Sequence, residues 1–66
     1  MNYLLTKKQN EVMKYLAQGL SNKEVMAKMG IKYTTLRTHL VDIYQIFGVH
    51  DKLNAVLTWQ KNEKEV

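Results

Sequence analysis

The chain has no cysteine and no proline. Without cysteine there is no disulfide and no thiolate metal site. Two histidines, His39 and His50, are too few and too far apart for a zinc cage. No repeat or low-complexity segment marks a linker, and 66 residues are room for one domain with one modest core. No apolar run approaches the ~20 residues that cross a membrane, and the N-terminus lacks a signal-peptide pattern. The expected location is therefore the cytoplasm. Catalytic constellations are missing as well. No nucleophile stands with a base, no glycine-rich loop could cradle a phosphate, and no carboxylate pair has a usable spacing. The chain reads as a non-enzyme with no cofactor.

What is present is basic charge and helical punctuation. Ten Lys and Arg against six Asp and Glu give a formal charge of +4. Attraction to phosphates is the sequence-independent part of nucleic-acid binding, so this balance favours a polyanionic partner.

Four helical segments are expected. Thr6-Lys7-Lys8-Gln9 fits a capping box, in which a hydroxyl and an amide satisfy each other's backbone N–H groups. Val12, Met13, Leu16, Ala17 and Leu20 follow at helical spacing, and Gly19 offers a stop. Ser21-Asn22-Lys23-Glu24 repeats the box, with Val25, Met26 and Met29 behind it and Gly30 as the stop. The third segment runs from about Tyr33 to Phe47. At about 100° per residue, Leu36, Leu40, Ile43 and Phe47 form one narrow apolar stripe. Thr34, Thr38, Val41 and Gln45 lie opposite it, with Arg37 at their edge. An ordinary solvated face would be richer in Glu and Lys. The fourth segment begins near Asp51, a plausible N-cap. There Leu53, Val56 and Leu57 are expected to face the core, leaving Ala55 and Trp59 on a free face.

Leu5-Thr6, Glu11-Val12, the run Ala17 to Val25, Gly30-Ile31, Thr35 to His39, Ile43-Tyr44, Gly48-Val49 and Ala55-Val56 together carry a resemblance. The chain resembles the DNA-binding domain of LuxR/GerE-type transcriptional regulators, from residue 5 to about residue 60. The resemblance implies a single all-α, four-helix domain over 1–66, with a helix-turn-helix at about 21–47 and a dimerisation helix at about 51–61. It implies a DNA-binding regulator that binds inverted half-sites of double-stranded DNA as a homodimer, of bacterial or phage origin. The chain is expected either to act as a stand-alone small regulator or to be a domain excised from a larger one. The competing expectation is an interaction protein that heterodimerises with a larger LuxR-type regulator and inhibits it.

With that resemblance, Arg37, Thr38, Val41 and Thr34 are the candidate base contacts, Arg37 through guanine O6 and N7 and the others through thymine methyls or polar edges. Lys23, Thr35, His39, Lys8 and Tyr44 are the candidate phosphate contacts, and Lys32 is a weaker one. Each has an ordinary alternative as a surface or packing residue. Ala55, Trp59 and Asn62 are expected to form the dimerisation face. The chain departs from the family pattern at working positions. Lys32 replaces the usual Ser cap, Val41 a basic or amide residue, Ile46 a Lys, and Met26 a small Ala. These changes leave a reading face poor in hydrogen-bond donors.

Overall fold

Each helix starts and stops where its own residues direct it. The structure, a computed structural model, describes the backbone of residues 5–64 and the side chains of residues 5–61. Its helices are α1 (Lys7–Ala17), α2 (Asn22–Met29), α3 (Tyr33–Phe47) and α4 (Lys52–Lys64). Among the described residues there is no strand, so the all-α, four-helix expectation holds.

Both expected capping boxes form. The Gln9 backbone N–H donates to the Thr6 hydroxyl oxygen at 3.1 Å, and the Thr6 N–H donates to Gln9 Oε1 at 3.0 Å. The Glu24 N–H donates to Ser21 Oγ at 3.2 Å, and the Ser21 N–H donates to Glu24 Oε1 at 2.9 Å. That backbone bond, followed by the Ser21 hydroxyl contact, holds the Glu24 carboxyl below its ordinary pKa. Asp51 Oδ1 accepts the Asn54 N–H at 2.8 Å, which opens α4 in the same manner.

The exits of α1, α2 and α3 share one device. Leu20, Ile31 and Val49 each donate their N–H to the carbonyl five residues back, at 3.2, 3.1 and 3.0 Å. That bond is the mark of a Schellman ending, which needs the residue before it in the left-handed region. Gly30 supplies that conformation between α2 and α3 with φ 64°. The residue following each glycine then packs on the core, so the stop of one helix also anchors it.

The core is one cluster. Val12, Met13 and Leu16 of α1, Val25 of α2, the α3 stripe Leu36, Leu40, Ile43 and Phe47, and Ala55 of α4 are all buried. Helices α1 and α3 each pack against every other helix, while among the described residues α2 and α4 do not meet. Met26 and Met29 cover the cluster's edge, as expected for core filler.

Helix α4 corrects the sequence reading. Ala55 is fully buried, and Trp59 is half-buried against the core, whereas Leu53 and Leu57 are 69% and 52% exposed. Val56 packs against the core as expected, but Leu53 and Leu57 do not, and the burial of Ala55 and Trp59 in their own domain removes them as a free dimerisation face. Asn62, the third residue assigned there, lies outside the described side chains. The physical reason is a contact with α1. The Trp59 indole N–H donates to Asn10 Oδ1 at 3.1 Å across 49 residues of sequence. An indole needs a partner for its N–H when half-buried, and α1 provides one. Ala55, one turn earlier, is fully buried in the core cluster. Ala55→Glu is accordingly expected to unfold the domain by burying an unpaired carboxylate. Far-ultraviolet circular dichroism would show loss of helix, where a surface change would leave the spectrum intact.

Candidate nucleic-acid interface

The turn from α2 to α3 positions the candidate face. Gly30 ends α2, and Lys32 is the N-cap of α3 in extended conformation. Unlike Thr6 and Ser21, Lys32 makes no side-chain cap hydrogen bond. The first-turn N–H groups of α3 therefore keep their donors for solvent or an anion, and the helix dipole there favours negative charge.

The α3 stripe is buried, so its opposite face is presented outward. Thr34, Thr35, Arg37, Thr38 and Val41 are all exposed, as are Tyr33 before them and Gln45 beyond. Thr34 to Val41 covers about 10 Å of helix at 1.5 Å per residue. One hydroxyl on this face is occupied, since Thr38 Oγ1 donates to the carbonyl oxygen of Thr34 at 3.0 Å. Arg37 thus supplies the principal fan of donors. A single rigid helix with short side chains and one planar guanidinium matches what a major groove admits and reads.

The remaining candidates divide by burial. Lys8 and Lys23 are exposed in the first turns of α1 and α2. His39 is half-buried at the margin of the stripe. Tyr44 is also half-buried, and burial, followed by the nearby Asp51 charge, pushes its phenol pKa up, so it stays a neutral donor and acceptor. The structure thus brings the four candidate base contacts onto one face of α3, with Lys32 at its N-cap, while Lys8 and Lys23 stand on α1 and α2.

Two residues with a stake in this surface were not singled out by the sequence reading. Tyr33, 55% exposed at the first position of α3, places a phenol beside the uncapped helix start. Its signal was an aromatic residue off the apolar stripe. Asp42 is exposed one turn after Thr38 and adds a negative charge to the flank of the face. Among the described residues, no group of His, Cys, Asp and Glu could hold a metal ion, and no helix is long and apolar enough to cross a membrane.

Comparison with known proteins bears on this surface. The family model for bacterial regulatory proteins of the luxR family matches residues 3–59. The chain is 36% identical over 55 residues to a probable HTH-type transcriptional regulator, GfsR, of Streptomyces halstedii, which covers 83% of this chain and 23% of that protein. It is 34% identical over 55 residues to the transcriptional regulatory protein YhcZ of Bacillus subtilis, covering 83% of the chain and 26% of the relative. It is 33% identical over 54 residues to the glycerol metabolism activator of Pseudomonas putida, covering 82% and 24%. The chain thus spans about a quarter of the length of these relatives. No solved structure gives a significant match.

The uncapped start of α3 makes a stability prediction. Lys32→Ser should supply the missing cap and remove a cation from the positive end of the helix, raising stability by about 0.5–2 kcal/mol. Chemical denaturation would measure it as a higher midpoint with an unchanged slope.

Proposed function

The chain belongs to the luxR family of bacterial regulatory proteins, and on that premise we propose that it is the DNA-binding module of a transcriptional regulator. Helix α3 enters the major groove, and two copies occupy inverted half-sites. The observation that carries this reading is the outward face of α3. Opposite a fully committed apolar stripe stand Thr34, Thr38 and Val41 with Arg37 beside them, all exposed. Arg37 takes guanine O6 and N7. Lys23, Lys8, Thr35, His39 and Tyr44 meet the phosphates on either side, and the net charge of +4 supplies the long-range attraction.

Pairing of two copies runs through the other side of α4 from the one expected. Leu53 and Leu57 lie one turn apart and are more than half exposed. Across a two-fold axis each ridge meets its own copy, which makes the contact self-complementary. Two leucines bury far less than the ~800 Å² per partner of a standard interface. The dimer is therefore weak when free and completed on DNA, where the two half-sites hold the copies together.

The same ridge supports a second reading, in which this chain pairs with a larger regulator of the same family and prevents it from binding DNA. The scarcity of donors on α3 and the acidic Asp42 favour it. Titration of random duplex DNA across salt concentrations separates the two. A steep loss of affinity with salt supports DNA binding, and no binding at low salt supports the inhibitor.

Three mutational outcomes follow from the DNA-binding reading. Arg37→Ala should cost about 1–3 kcal/mol on the preferred duplex and flatten the preference at one base pair per half-site, whereas Lys23→Ala should weaken all duplexes alike and reduce the salt slope by about 1. Anisotropy titrations with matched and mismatched duplexes distinguish these patterns. Leu53→Asp combined with Leu57→Asp should leave the fold intact and abolish joint occupation of paired half-sites. Sedimentation of the protein–DNA complex would then show one copy bound per duplex in place of two.

A further inference from the structure

One hydrogen bond on α3 changes what the groove meets. The Thr38 hydroxyl donates to the Thr34 carbonyl at 3.0 Å. A hydroxyl has a single proton, so Thr38 has none to offer a base or a phosphate. Its neighbour on the same face, Val41, is 42% exposed and has no polar side-chain atom. Residues three apart on a helix are adjacent, so the Thr38 and Val41 methyl groups form one apolar strip, extended by Thr34. Val41 also lines a shallow depression with Tyr44, Gln45, Gly48, Val49 and His50.

We propose that this strip reads thymine through its C5 methyl group, which Thr38 and Val41 enclose, immediately beside the guanine held by Arg37. The proposal rests on α3 entering the major groove and deepens that reading by naming the base. In that groove the thymine methyl is the only apolar group that a base edge presents. A strip with no donor at Thr38 and no polar atom at Val41 has little to exchange with a phosphate. It also has little to exchange with the acceptor-rich edge of guanine. Thr38 retains lone pairs that could accept from an amino group, but Val41 discriminates only by apolar contact. Arg37 then contributes the polar half of specificity, and the strip contributes the apolar half.

Deoxyuridine tests this directly, because it keeps every hydrogen-bonding atom of thymine and lacks only the methyl group. The preferred duplex is first selected from random DNA, and each half-site thymine is then replaced singly. One thymine per half-site should lose about fourfold in affinity on replacement, equivalent to the ~0.8 kcal/mol of one buried methyl. Thr38→Ser keeps the hydroxyl and its bond to the Thr34 carbonyl but removes the protein methyl, and Val41→Ala shortens the strip. Both positions are exposed, so the fold should survive, which circular dichroism verifies. In both variants the penalty for deoxyuridine should shrink towards none, giving a positive coupling in the double-mutant cycle. If deoxyuridine is harmless at every position, or its penalty is undiminished in both variants, the methyl assignment is overturned while sequence-specific binding by α3 stands. If selection yields no preferred sequence at all, the DNA-reading role of α3 falls with it.

Discussion

Burial of Leu36, Leu40, Ile43 and Phe47 is the constraint on which the rest of this molecule depends. These residues occupy one narrow side of α3 and make contact with all three other helices possible. A fully buried side chain of this kind contributes about 1.5–3 kcal/mol relative to exposure. Rotating α3 about its axis would expose several of them at once, so the helix has one acceptable orientation. That orientation leaves Thr34, Arg37, Thr38 and Val41 outward. The outward face of α3 is therefore a by-product of the core, and its orientation is set by the side chains buried beneath it.

The same helix carries the chain's main departure from local optimisation. Helices α1 and α2 begin with complete capping boxes, and α3 begins at a lysine with no cap. A helix start left open is less stable by about 1 kcal/mol, and its N–H groups and positive dipole end suit an anion. Stability given up at the start of α3, and kept at the starts of α1 and α2, is the pattern a functional surface would show. Lys32 itself adds a charge of the sign that would meet a phosphate.

Donor economy shapes what this face can distinguish. Arg37 is the one guanidinium on it, the Thr38 proton is committed to the helix backbone, and Asp42 opposes phosphates at the flank. Single-module affinity should then lean on non-specific charge, and discrimination on one arginine and a few methyl contacts. In the proposed pairing, two copies on half-sites would multiply that modest discrimination, and the small area of the Leu53–Leu57 ridge suits a contact completed only on DNA.

Local features were legible from the residues alone. Capping boxes act over three residues, Schellman endings over five, and the α3 stripe over a single helix whose opposite face is polar. In each, the interacting groups lie close in sequence, so spacing and chemistry determine the outcome. The four helices, the turn at Gly30 and the outward placement of Arg37, Thr38 and Val41 follow from these. Helix α4 differs, because it is apolar on two sides. Leu53 and Leu57 lie about 160° from Ala55 and Trp59 at 100° per residue, and periodicity alone does not say which pair turns inward. The choice was made by packing, in which Asn10 of α1 offers an acceptor to the Trp59 indole and Ala55 is fully buried in the core cluster. Where the Thr38 hydroxyl proton goes was equally undecidable from sequence, since a threonine can bond its own helix or a partner. Sequence determined which residues share a face; only packing between distant segments decided which face is spent on the core and which is left for a partner.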